Sequence, residues 1–229
     1  MAHDSEVPLV TRDERGGNPV AKIGIFGGTF DPVHIGHLIV AEQCREQGKL
    51  DQVWFVPAAR PPHKLDRPLT RFEQRVEMIA LAIAGQPSFR IDELEKNRAG
   101  PSYTADTLEE LRRLQPACEF WLLLGSDTIA DLPAWRDPSR VVAGAGLMVS
   151  GRPGHAVPSA EQVRGMLRLP EGAALRHLAV DSPLVDISSR DLRRRVGQGR
   201  SIRYMVPRAV ECYVREKRLY VSGDPATPV

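Results

Sequence analysis

Two histidines three residues apart, His34 and His37, follow a Gly-Gly-Thr turn within Gly24–His37, GIFGGTFDPVHIGH. No other segment gathers so much chemically specific material in so short a span. The apolar run Lys22–Phe26 before it reads as a buried strand. The helical pattern after it, with Leu38, Ile39, Ala41 and Glu42, runs to Gly48 as a stop. Gly27 and Gly28 let backbone N–H groups approach an anion, Thr29 adds a hydroxyl, and a helix N-terminus favours phosphate. His34 and His37 fall on one helical face, where two imidazoles can donate to phosphate oxygens without each holding a permanent charge. The pattern is neither the dinucleotide GxGxxG nor a Walker loop, which would end in Gly-Lys-Ser/Thr. A metal held by protein side chains is not expected. Helical zinc-binding histidines stand four apart around a carboxylate, and Ile35 and Gly36 supply none.

The elements that must position this loop follow in order. Gln52–Val56 is a second strand, and the proline-rich segment from Pro57 to Leu69 is a loop. Thr70 and Glu73 predict a capping box, opening a helix with Phe72, Val76, Ile79, Ala80 and Ile83 on one face. Phe89–Ile91 starts a third strand, and Thr104–Leu114 is a helix with Thr107, Leu108 and Leu111 inward. Glu119–Leu124 is the most apolar strand. A helical turn and Pro133 come next, then a strand at Gly146–Val149, a loop at Arg152–Pro158, and a short helix capped by Ser159 and Gln162. His177–Val180 is a sixth strand, and helices at Ser189–Val196 and Pro207–Lys217 close the chain, with Pro207 at a tolerated first position. Trp54 and Trp121 lie in strands and are assigned to the core. Alternating strands and helices predict an α/β fold, a doubly wound, mostly parallel Rossmann-like sheet with helices on both faces. Its ligands should bind beyond the C-terminal strand ends, where the special residues stand.

Bulk properties set limits. The 229 residues suit a single domain at 21–221, between flexible tails at 1–20 and 222–229. A formal charge of +2 gives no support to a nucleic-acid or membrane-surface role. No apolar run approaches the roughly 20 residues that span a bilayer. Cys44, Cys118 and Cys212 match neither a disulfide framework nor a thiolate metal site, which suits a reducing, cytoplasmic setting.

GGTFDPVHIGH resembles the signature of the HxGH nucleotidyltransferase superfamily. More narrowly, the chain resembles the bacterial nicotinate-nucleotide adenylyltransferases from about residue 22 to 217. The likeness includes VPAARPPHK (56–64), RFEQRVEM (71–78), GPSYTADTL (100–108), LLLGSD (122–127), LPAW (132–135), ISSRDLRR (187–194) and YMVPRAVECYV (204–214). It implies transfer of AMP from ATP to nicotinate mononucleotide, giving deamido-NAD and pyrophosphate. His34 and His37 would hold the α- and β-phosphates, with Lys64 and Arg193 adding positive charge and Ser188 and Ser189 donating at a helix N-terminus. Gly27, Gly28, Thr29, Phe30, Gly36 and Ile187 would complete the ATP site, together with Gly125 for backbone approach and Asp127 for the ribose. Trp135 would stack on the pyridine ring, and Tyr103-Thr104 would read its carboxylate through backbone amides. Mg²⁺ would enter with ATP and take few or no protein ligands. A homo-oligomer is compatible with the resemblance.

This chain departs from the family at three points. Arg190 stands where threonine is common, Ser126 replaces a common alanine without expected consequence, and the N-terminal segment is extra. Of the run Arg193–Arg195, one helical face can meet phosphates, so Arg194 and Arg195 are expected in solvent. Other readings carry less weight. Phosphopantetheine adenylyltransferase shares the HxGH element but lacks the PPHK and SYTxDTL features. An enzyme specific for nicotinamide mononucleotide remains an alternative. A class I aminoacyl-tRNA synthetase would need a KMSKS stretch and an anticodon-reading domain. A non-enzymatic nucleotide binder would not need every transition-state contact.

Overall fold

Alternation of apolar side chains along short strands builds the sheet on which everything else rests. The computed structural model describes residues 20–62 and 68–221. Lys64 and, apart from Val20, the segments flanking the domain lie outside the described residues. The strands are β1 (Ala21–Gly28), β2 (Gln52–Pro57), β3 (Phe89–Ile91), β4 (Cys118–Gly125), β5 (Gly146–Ser150) and β6 (His177–Val180). They form one sheet in the order β3-β2-β1-β4-β5-β6, and every pairing is parallel. The helices are α1 (Ile35–Gly48), α2 (Phe72–Ile83), α3 (Thr104–Leu114), α4 (Ser126–Ala130), α5 (Pro138–Gly144), α6 (Ala160–Met166), α7 (Ser189–Gly197) and α8 (Arg208–Glu216).

Phe26, Val53, Phe55, Leu123 and Met148 enter one buried cluster with residues of α1, α2, α7 and α8. Their strand neighbours Ile25, Trp54, Val56, Leu122 and Leu147 enter a second cluster with α3, α5 and α6. Burial on both faces is what a parallel sheet requires, because each crossover lays a helix across it. Gly24 falls on the first face, where an added Cβ would come 2.7 Å from Leu50 Cδ1 and 3.0 Å from Leu123 Cδ1. Strand order reverses between β1 and β4, which opens a crevice at their C-terminal ends. Gly28 pairs with Pro57 and Gly125 with Ser150, so the loops after β1, β2, β4 and β5 leave from one edge.

Several local expectations change. The Thr70–Glu73 box does not form. Arg71 is the N-cap without a side-chain bond, while Thr70 is buried, with its carbonyl accepting from Arg75 Nε at 3.0 Å. On α2 Ala80 is exposed, and Arg75 takes the inward side with Met78 and Ile79. Helix α1 ends through Lys49 in the left-handed region, φ 50°, one residue beyond Gly48. Pro207 is the N-cap of α8 rather than its first residue. Trp121 is only half-buried; its indole donates to Glu119 at 2.9 Å under the Arg176 guanidinium. Helix α5, with Pro138 in its first turn, was not expected. The Ser159–Gln162 box forms in both directions. The three cysteines are free thiols.

The loop between β1 and α1 is anchored from behind. The Asp31 carboxylate, 1% exposed, accepts from Tyr220 Oη at 2.6 Å and from the Thr70 N–H at 3.4 Å. Buried Arg75 donates to the Thr29 carbonyl at 2.8 Å, and Arg193 donates to the Asp31 carbonyl at 2.7 Å. Burial and the Asp31 carboxylate push the Tyr220 phenol well above its ordinary range, which keeps it a donor. Removing that hydroxyl leaves a buried carboxylate short of a partner, a loss of about 1–3 kcal/mol. We expect Tyr220→Phe to lower urea-unfolding stability by that amount with an unchanged m-value.

Candidate active site

The histidines sit where the helix begins. His34 is the N-cap of α1 in extended conformation (φ −145°), and its carbonyl accepts from the His37 N–H at 2.9 Å. The two side chains face each other's backbone in the manner of a capping box. One half of it is a 3.1 Å bond from the His34 N–H to His37 Nδ1, while His34 Nδ1 stays short of a full hydrogen bond. The rings stack with centroids 3.7 Å apart. A ring nitrogen that accepts from the backbone cannot carry the proton, so the proton of neutral His37 is on Nε2. Phe26 and Phe30 hold the His37 ring edge-on, at centroid distances of 5.9 and 5.1 Å.

His34 is 3% exposed, and burial first, then the nearby Arg152 charge, lowers its pKa to about 3. It is therefore a neutral donor at any physiological pH. Gly36 makes room for it, since a Cβ there would stand 3.2 Å from both Cε1 and Nδ1 of the His34 ring. Gly28 is crowded by the Phe30 ring at 2.9 Å, while nothing lies within 4 Å of an added Cβ at Gly27. Phe30 adopts φ 51° and buries its side chain in the core, so only its backbone faces the loop's outer side.

Arg193 reaches this loop from α7 through its bond to the Asp31 carbonyl. Arg194 is exposed and ion-pairs with Asp191, and Arg195 donates to the Ser201 carbonyl at 3.0 Å. Ser188 caps α7, its Oγ accepting from the Asp191 N–H at 3.1 Å. The Ser189 hydroxyl donates to the Pro32 carbonyl at 2.9 Å, which leaves backbone N–H groups of the first turn to face an anion. Gly125 is the N-cap of α4, and Asp127 follows in its first turn.

Tyr103 is the N-cap of α3 with Thr104 as its first residue, and Trp135 follows a 3₁₀ turn at Leu132–Ala134, half-buried against the second cluster. The Arg136 guanidinium lies over the Tyr103 ring at 4.6 Å and so joins these two segments. Ser102 and Arg60 exchange backbone and hydroxyl bonds at 2.9 and 3.1 Å, tying the loop after β2 to the start of α3. Lys64 lies outside the described residues.

Sequence reasoning missed Arg152, which it left in a loop after β5. Its Nε is 3.8 Å from Asp127 Oδ2, and its Nη atoms donate to the Val185 and Ile187 carbonyls, each at 3.3 Å. Ser126, expected to be without consequence, is buried and holds that arginine's backbone: its Oγ accepts from the Arg152 N–H at 2.8 Å and donates to the His155 carbonyl at 2.9 Å. The available signal was position, since Arg152 follows a strand on the ligand-bearing edge. Among the described residues no group of three or more His, Cys, Asp or Glu side chains could hold a metal ion. No helix there is long and apolar enough to cross a membrane.

A parallel sheet with a glycine turn and a stacked histidine pair at its switch point fits the nucleotidyltransferase class, and residues 25–195 match the family model of cytidylyltransferase-like proteins. Finer likeness comes from whole-chain relatives. A protein of Thermomicrobium roseum described as a probable nicotinate-nucleotide adenylyltransferase is 43% identical over 209 residues, 91% of this chain and 96% of that protein. One of Thermus thermophilus with the same description is 45% identical over 87% of this chain and 99% of its own length. The chain thus belongs to the nicotinate-nucleotide adenylyltransferase family. The fold agrees with solved structures of low identity. The Plasmodium falciparum nicotinic acid mononucleotide adenylyltransferase complexed with NaAD gives a TM-score of 0.72 at 21% identity, covering 87% of this chain and 97% of that one. A putative nicotinate-nucleotide adenylyltransferase of Vibrio parahaemolyticus gives 0.61 at 17%, covering 88% and 96%.

The lowered pKa of His34 makes a pH prediction. Unfolded, the ring takes a proton below about pH 6.5, whereas folded it stays neutral to about 3. Its contribution to stability is therefore complete above pH 6.5 and is lost as pH falls towards 3. We expect the His34 imidazole NMR signals to remain those of the neutral ring from pH 8 to 5.

Proposed function

We propose that this chain transfers AMP from ATP to nicotinate mononucleotide, releasing pyrophosphate and deamido-NAD. The observation that carries this reading is the stacked His34–His37 pair, with the tautomer of His37 set by the His34 N–H. A 5′-phosphate oxygen of the mononucleotide forms a bond to the α-phosphorus of ATP as the bond from that phosphorus to the pyrophosphate oxygen breaks in line. The attacking phosphate is already ionised, so the reaction needs positioning and charge neutralisation more than a general base.

His37 Nε2–H and the His34 ring then stabilise charge on the α- and β-phosphates as neutral donors. Arg193 and Lys64 supply full positive charge, and the first-turn N–H groups of α7 at Ser188 and Ser189 add dipole. Gly27, Gly28, Thr29, Phe30 and Gly36 form the backbone cradle. Asp127 accepts from the ribose hydroxyls while Gly125 and Ile187 flank the adenosine. Trp135 stacks on the pyridine, and the N–H groups at Tyr103 and Thr104 receive its carboxylate. Mg²⁺, when bound with ATP, neutralises phosphate charge. Nearby carboxylates suit no protein cage for it, because Asp31 is committed to Tyr220 and Asp127 faces Arg152. The reading places the enzyme in the cytoplasm and requires neither nucleic acid nor a membrane.

A site that pairs a carboxylate rejects the neutral amide. We expect pyrophosphate release to show a higher kcat/KM with nicotinate mononucleotide than with nicotinamide mononucleotide, and equal values would refute the acid preference. For His37→Ala we expect a loss mainly in kcat, on the order of 10²–10³. A change confined to KM would assign His37 to ground-state binding instead.

A further inference from the structure

One half-buried cation at the proposed ATP end has no role in that mechanism. Arg152 leaves the sheet edge just after β5, contacts two separate parts of the site and passes close to a third. Its Nε lies 3.8 Å from the Asp127 carboxylate. Its two Nη atoms donate to the Val185 and Ile187 carbonyls, just before the Ser188 cap of α7. Nη1 would be 3.8 Å from a Cβ at Gly36, beside the His34 ring. A Cβ on Gly125 would meet the Arg152 stem at 3.1 Å, so the glycine there accommodates this side chain as well as any ligand. The backbone of Arg152 is held by the hydroxyl of the buried Ser126.

We infer that Arg152 is a positioning residue for ATP, a guanidinium bridge that aligns the ribose-binding Asp127, the His34 imidazole and the phosphate-binding start of α7. The planar fork suits this task because it can serve carbonyls and a carboxylate from fixed directions, which an ammonium cannot do. Three elements far apart in the chain, α1, α4 and the segment before α7, thereby keep one spacing. A triphosphate needs that spacing, since its ribose and its α-phosphate are joined by a short, stiff link. The cation also adds to the field at the α-phosphate without forming an acid or base. This inference rests on the adenylyl-transfer reading and assigns Arg152 to one substrate only.

The test compares the wild type with Arg152→Gln and Arg152→Lys, using steady-state kinetics varied in each substrate and calorimetric titration with ATP. Loss of a charge-assisted contact predicts an ATP KM and dissociation constant raised about ten- to hundredfold for Arg152→Gln, with the nicotinate mononucleotide KM within about twofold. Arg152→Lys, which keeps the stem and the charge, should show the same split to a smaller degree, and it reads the effect if the glutamine variant folds poorly. An ATP affinity unchanged in both variants, or equal rises in both KM values, would overturn the role. Absence of turnover in the wild type would overturn the adenylyl-transfer reading itself, whereas normal wild-type turnover with unchanged variants would remove only the part given to Arg152.

Discussion

The carboxylate of Asp31, almost wholly removed from water, is the group on which the rest of the site depends. A charge at such a position is tolerated only while its partners stay in place. Those partners come from the far ends of the fold: Tyr220 near the end of the described chain, Thr70 before α2, and the guanidinium of Arg75 nearby. The same segment gives up its carbonyls at Thr29, Asp31 and Pro32 to Arg75, Arg193 and Ser189. A loop that must leave its N–H groups for a ligand is thus held by its oxygen atoms and one buried side chain. This arrangement leaves the loop's outer side, the one proposed to meet phosphate, unobstructed.

Electrostatics at the mouth follow from that anchoring. Fixed loop geometry places His34 in a dry position beside a cation, and both effects favour the uncharged ring. In the proposed reading full positive charge is left to Lys64 and to arginines, the latter unable to lose it. The division matters for transfer of a nucleotidyl group, where charge moves from the α-phosphate towards the leaving pyrophosphate. In the proposed reaction, neutral donors would grip that changing charge without binding the ground state too firmly.

The side proposed for the other substrate is built differently. Tyr103, Thr104, Trp135 and Arg136 come from the start of α3 and the turn after α4, joined by a guanidinium on an aromatic face. Tethers between Arg60 and Ser102 link it to the loop after β2. Backbone amides and a flat ring suit a planar acid. The proposed phosphate side offers charge and imidazoles, so in that reading the two halves of the crevice recognise by distinct chemistry.

Much of this was legible in the order of residues. Strand positions, sheet class, the strand–turn–helix around Gly24–His37 and the inward face of α3 follow from local periodicity and turn chemistry, which depend on neighbours in the chain. The motifs after β1, β2 and β4 stood out as candidates because ligand groups in parallel sheets gather after strand ends. Other features were hidden. Thr70 is buried beside Asp31, to which its backbone N–H donates, and does not cap α2; Arg75 took an inward position that its type disfavours, and Ser126 became an anchor for Arg152. Each depends on a partner dozens of residues away, and the gain from pairing a buried polar group outweighs the small local preference that a sequence displays. The signature loop therefore declares the chemistry from its own residues. Its rigidity, the neutral state of His34 and the place of Arg152 arise only when distant segments close around it and exclude water.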